Sequence, residues 1–131
     1  MASAITPFLM FQGTAETAMQ FYVSLFKDAG ITQIERYGPN AAGPEGSVRL
    51  AEFRLGEQRF LCIDSPAEHA FGFTPSLSIF VDCEDEAELQ RVFEALSTEG
   101  EILMPLDNYG FSTKFGWVND RFGVSWQLNL P

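Results

Sequence analysis

The feature that most constrains this chain is that it reads twice. Gly30 and Gly100, Pro7 and Pro75, Gly56 and Gly123, and Pro66 and Pro131 form four pairs, each separated by 65 to 70 residues. The segments between these marks follow one order. The apolar run 5–11 reads as a strand. Gly13 breaks it and Thr14 can cap a helix. Ala18, Tyr22, Leu25 and Phe26, with Met19 beside them, line one helical face that Gly30 is expected to close. Residues 31–37, 48–55 and 59–63 read as three strands, the last two joined by a tight turn at Gly56 and Glu57. The glycine- and proline-bearing segment 38–46 reads as a loop. The second half repeats the series: strand 76–81, an acidic helix start at 82–86, a helical face of Leu89, Val92, Phe93 and Leu96 closed by Gly100, then strands 101–106, 111–118 and 124–130. Two copies of one βαβββ unit are expected, about 4–66 and 74–131, joined by a connector that holds the single histidine, His69.

A sheet with one helix leaves one face uncovered. The expected fold class is therefore α+β: one domain over residues 1–131, its two units forming a curved mixed sheet around a cleft where ligands bind. Composition narrows what such a cleft takes. Acidic residues number 18 against 8 basic ones, a net charge of −10. That balance argues against nucleic acid and against anionic membranes, which both need a Lys/Arg surface. It serves solubility, and it also favours neutral or cationic ligands. The 13 Phe are many for 131 residues, so they either fill a thick core or line a cavity. No stretch approaches the ~20 apolar residues of a membrane span, and the first seven residues have no basic lead into a signal-peptide core. Cys62 and Cys83 lie in or beside apolar runs, as free buried thiols of a reducing compartment would, so a cytoplasmic location is expected.

Finer motifs carry a resemblance. Pro7-Phe8-Leu9-Met10-Phe11 with Gly13 and Phe21-Tyr22, Cys62-Ile63-Asp64-Ser65-Pro66, and His69-Ala70-Phe71-Gly72-Phe73-Thr74-Pro75 are three of them. Tyr109-Gly110-Phe111-Ser112 leading to Phe115-Gly116-Trp117, and Asp120-Arg121-Phe122-Gly123-Val124-Ser125-Trp126-Gln127-Leu128, complete the set. With the paired βαβββ order, the chain resembles the vicinal oxygen chelate superfamily of glyoxalase I, bleomycin-resistance proteins and extradiol dioxygenases. Within it the chain is similar to the PhnB-like branch, whose members are labelled 3-demethylubiquinone-9 3-methyltransferase-like. A methyltransferase of the common kind needs a Rossmann-like domain and a glycine-rich turn, and no G-x-G cluster follows a strand here.

The resemblance implies a divalent metal between the units, held by residues of the first and last strand of each. Transferred by the landmarks, those positions are Pro7, Cys62, Ser76 and Gln127. Pro7 has no ligating side chain and a neutral Ser76 is a poor donor, so two marginal ligands, Cys62 and Gln127, remain, and no tightly held metal is expected. Alternation on 124–130 puts Val124, Trp126, Leu128 and Leu130 on one face and Ser125, Gln127 and Asn129 on the other. Cys62 and Gln127 each lie four residues before the proline that closes its unit, so as equivalent positions they are expected to approach one shared concavity, with Ser76 near its floor and Phe73, Tyr109 and Trp117 at its walls. His69 is a candidate general base if Asp64 or Glu68 partners it, or else a residue that holds its loop. Cys62, without an adjacent base, reads as an inert thiol, Glu84, Asp85, Glu86 and Glu88 as a solvated helix start, and Asp120 as a turn residue accepting backbone N–H groups. The function that follows is binding of an apolar or aromatic small molecule without a tightly bound metal. The alternative is a metal-dependent lyase, isomerase or dioxygenase with an altered ligand set. A homodimer is expected, because the resemblance implies cavities completed by a partner chain and open sheets have edges that need covering.

Overall fold

The computed structural model describes residues 2–131. Contacts cluster into two compact units, one reaching to His69 and the other spanning Ala70–Pro131. The first holds β1 (Phe8–Phe11), α1 (Ala15–Leu25), β2 (Ala29–Arg36), β3 (Val48–Leu55) and β4 (Gln58–Asp64). The second holds β5 (Ser78–Asp82), α2 (Glu86–Ser97), β6 (Glu101–Asp107), β7 (Lys114–Asn119) and β8 (Ser125–Leu130). Each is βαβββ, and the two sheets have the same order, β1-β4-β3-β2 and β5-β8-β7-β6. In each, the first strand runs parallel to the last and the remaining pairs are antiparallel. The fold is α+β, as the duplication predicts.

In the first unit, Ala15, Ala18, Met19, Tyr22 and Leu25 are the buried stripe of α1. Tyr22 tilts against Phe53 at 6.1 Å, and Phe53 stacks on Phe60 at 5.0 Å. These contacts fix the helix side of the sheet. Phe60, Cys62 and Asp64 are the buried alternates of β4, and Leu61 and Ile63 face the other way. In the second unit, Leu89, Val92, Phe93 and Leu96 of α2 meet Val118, Trp126 and Leu128 in a buried core. Gly116 belongs to that side, since a Cβ there would lie 2.8 Å from both Phe93 and Leu106.

Three local expectations are corrected. Gly30 does not close α1. The helix ends at Leu25, Phe26 is already extended, and Gly30 lies in β2 opposite Arg54. Residues 111–113 are loop, because β7 begins at Lys114. The side chain of Thr14 makes no cap bond. Asp64 supplies that acceptor, taking the N–H groups of Gly13 (2.8 Å) and Ala15 (2.9 Å) on Oδ1 and that of Val48 (2.9 Å) on Oδ2. The start of α2 is capped locally: Asp85 accepts from Glu88 N, and the Glu88 carboxylate accepts from Glu84 N, both at 2.8 Å.

Candidate functional site

The face of the second sheet away from α2 gathers polar and aromatic groups. Register places Trp117 and Phe80 on either side of Gln127, with Ser125 and Asn129 two residues along β8 in each direction. These residues share one face, because directly paired positions on neighbouring strands point the same way. Gln127 Nε2 donates to Ser78 Oγ at 2.7 Å, and Trp117 Nε1 donates to Ser125 Oγ at 2.8 Å. Gln127 and Trp117 are half-buried, and Phe80 is exposed. The result is a row of neutral hydrogen-bonding groups beside aromatic rings, a combination suited to orienting a small apolar molecule.

The expected site residues distribute unevenly. Gln127 and Trp117 are brought together on this face, as alternation along β8 implies. Tyr109 lies in the loop after β6, its hydroxyl donating to Pro105 O at 2.6 Å and its ring 6.1 Å edge-on from Phe115. Phe73 is half-buried in the connector, with its ring at the turn glycine Gly123. Ser76 falls outside β5. It is exposed and shares a 2.7 Å hydrogen bond with Thr74 Oγ1. The partner of Gln127 is Ser78, since β5 starts three residues after Pro75 whereas β1 starts directly after Pro7.

Cys62 lies on the helix side of its own sheet, fully buried between Leu9 and Ala51. Gln127 lies on the side of its sheet away from the helix, so the two positions are not equivalent in facing. Burial, with a smaller contribution from the Asp64 charge, pushes the Cys62 thiol up to about 12, and Cys83 is raised to about 11 for the same leading reason. Both thiols are free. Cys62 is thus a packed, protonated side chain, in keeping with its reading as inert.

His69 is half-buried, with Nε2 2.8 Å from Ser65 Oγ and its backbone N–H donating to Gln12 Oε1 at 3.2 Å. Those bonds tie the connector to the first unit, while both oxygens of Asp64 are engaged by backbone N–H groups. Asp120 does in the second unit what its reading as a turn residue requires. Oδ1 accepts from Phe122 N and Val124 N, and Oδ2 accepts from Trp126 Nε1 at 2.9 Å. Among the described residues, no three His, Cys, Asp or Glu side chains converge where they could hold a metal ion. The acceptors of Gln127 Nε2 and Trp117 Nε1 are the neutral hydroxyls of Ser78 and Ser125.

Comparison with known proteins identifies relatives of the chain. A family model described as 3-demethylubiquinone-9 3-methyltransferase matches residues 3–129. A putative 3-demethylubiquinone-9 3-methyltransferase, PhnB protein, from Bacillus cereus is 54% identical, with a TM-score of 0.96 over 98% of this chain and 100% of that one. Protein PA1353 from Pseudomonas aeruginosa is 27% identical, with a TM-score of 0.84 over 98% of each chain. The fosfomycin resistance protein FosX from Listeria monocytogenes, solved with Mn(II) and a dihydroxypropylphosphonic acid, shares the fold at 10% identity, with a TM-score of 0.63 over 100% of this chain and 94% of that one. The chain belongs to the family described as 3-demethylubiquinone-9 3-methyltransferase, together with the PhnB protein from Bacillus cereus.

Proposed function

We propose that the protein binds a small apolar or aromatic molecule on the open face of β5, β8 and β7, without a tightly held metal. The observation that carries this reading is the Gln127–Ser78 hydrogen bond lying beside Trp117 and Phe80. An amide and a hydroxyl that satisfy each other are neutral. They can orient a ligand, but they give a divalent cation neither charge nor a third donor. FosX, solved with Mn(II), shows that the fold accommodates a metal, and the donors around Gln127 in this chain do not fit one. Methyl transfer is not proposed, since two mixed βαβββ units supply no glycine-rich turn between a parallel strand and a helix for a methyl donor. The cytoplasm is the proposed location, supported by two free, buried cysteines. No helix among the described residues is long and apolar enough to cross a membrane.

Total metal analysis on protein purified without chelator tests the reading. The expected result is far less than one divalent ion per chain. Added zinc, nickel or manganese should leave the melting temperature of both the parent and Gln127→Ala unchanged. A ligand at a hundredfold excess over its Kd stabilises by ~2.7 kcal/mol, a rise of several degrees. Such a rise in the parent, abolished by Gln127→Ala, would overturn the reading in favour of a metal-dependent enzyme.

A further inference from the structure

One end of the open face in the second unit carries a polar pair that the Gln127 cluster does not use. Asn129 of β8 is 9% exposed and sits in register between Asp82 of β5 and Phe115 of β7. Its Nδ2 donates to Asp82 Oδ1 at 2.9 Å. An ionised carboxylate only accepts, so this bond fixes which way the amide is turned. The amide oxygen, Asn129 Oδ1, is then buried with no hydrogen-bond partner. A buried acceptor left without a donor costs about 1–3 kcal/mol, and native proteins rarely retain one without a use. Asp82 is exposed, and Asn129 engages one of its oxygens, which leaves the other for a second donor.

The surroundings are aromatic and negative. Phe115 is tilted against Phe80 at 6.3 Å and meets Phe111 edge-on at 5.1 Å. Phe80 and Phe111 are 52% and 64% exposed, far more than core rings tolerate. Asp107 pairs in register with Phe115 and brings a second carboxylate to this end. The adjacent cation, Lys114, turns to the helix side and pairs with Glu86 at 2.6 Å. A buried oxygen lacking a donor, a solvent-facing carboxylate beside it and exposed aromatic faces together select a cation with N–H groups, and the net charge of −10 attracts it.

We propose that Asn129 and Asp82 form the polar anchor of the ligand site and that the ligand is a protonated amine on an aromatic or apolar body. The ammonium donates to Asn129 Oδ1 and to the second oxygen of Asp82. Its body lies against Phe80 and Phe115. The proposal rests on the small-molecule reading above and adds the ligand's charge and donor set to it.

Three probes of similar size separate the terms: 2-phenylethylamine (protonated at pH 7), neutral 2-phenylethanol and anionic 3-phenylpropanoate. Binding is read by NMR titration, with the side-chain amide resonance of Asn129 as the marker of position. The amine is expected to bind about tenfold or more tighter than the other two, the worth of one charge-assisted hydrogen bond, and to shift the Asn129 amide. Asp82→Asn, a surface change, should remove that advantage. Asn129→Leu, checked for native folding by its amide spectrum, should weaken the amine and spare 2-phenylethanol. If all three bind equally, or the alcohol or acid binds and the amine does not, the amine anchor is overturned and small-molecule binding stands. If none binds, both readings fall. Tight amine binding unaffected by Asp82→Asn and Asn129→Leu also overturns the anchor.

Discussion

At the scale of single residues, two buried carboxylates do the same job in the two halves by different routes. Asp64 joins the end of β4 to the start of α1 and the start of β3 through three N–H groups. Asp120 closes the β7–β8 turn and takes the indole N–H of Trp126. Asp64→Ala would leave three donors without that acceptor, so a loss of about 3 kcal/mol is expected in urea unfolding, with the m-value unchanged. A loss below ~0.5 kcal/mol would show that water replaces the carboxylate. Asp120 was legible because its donors lie two to six residues away, inside an Asn-Asp-Arg-Phe-Gly turn. Asp64 was not, because its donors lie 16 to 51 residues away and only the folded sheet brings them near. The thiols give a pH prediction whose sign follows from burial. Cys62 is raised to about 12 from an ordinary value of 9.0. Between those values the unfolded chain loses the proton and the folded chain keeps it. Stability from this group is therefore complete below pH 9 and declines as pH rises toward 12. Cys62→Ala should flatten that alkaline decline in a series of unfolding curves; a decline of unchanged steepness would assign it to other groups.

At the scale of elements, alternation told the truth where one face was polar and was silent where both were apolar. Along β8, Trp126 and Leu128 go to the helix and Gln127 and Asn129 go to the open face, as period two requires. Along β4, Leu61, Cys62 and Ile63 are all apolar, so the pattern carries no phase and does not show that Cys62 faces the helix. Ser78, Phe80 and Asp82 do not stand out in the sequence for a related reason: β5 begins at Ser78 rather than at Ser76, and only its register with β8 names the residues that meet Gln127 and Asn129. Glycine landmarks had a mixed record. Gly30 is a strand residue with open space where its Cβ would be. Gly100 follows Glu99, which takes the left-handed turn at φ 59°, and a Cβ on Gly100 would run into the backbone oxygens of Asn119 and Leu96. Gly100→Ala must then push α2 from β7 and is expected to cost ~1–3 kcal/mol, whereas Gly30→Ala should change the thermal midpoint little. Equal effects of the two substitutions would contradict this account of the α2–β6 corner.

At the scale of the whole molecule, the duplication was the most legible fact, because two units of one topology put Gly56 and Gly123 in the turns before their last strands and Pro66 and Pro131 just after those strands. What the linear pattern could not show is how much apolar surface each unit leaves open. Phe8 on β1 and Phe80 on β5 hold corresponding places, on the edge strand and on the face away from the helix, and each is 52% exposed. Leu77 is 75% exposed and Phe111 64%. One exposed Phe is ordinary in a soluble protein, but large apolar side chains repeated at corresponding positions of two open faces mark surfaces that association covers. The four- and five-residue strands β1 and β5 are the edges of their sheets. A homodimer is the expected state: light scattering at micromolar concentration should give twice the 14.6 kDa of one chain. Phe8→Asp places a charge on the open face of the first unit, and burying it would cost enough to raise the dimer dissociation constant by about a hundredfold. A parent protein that scatters as a single chain, or a Phe8→Asp variant that stays dimeric at nanomolar concentration, would remove the open faces from the assembly and leave their aromatic rings to ligand binding alone.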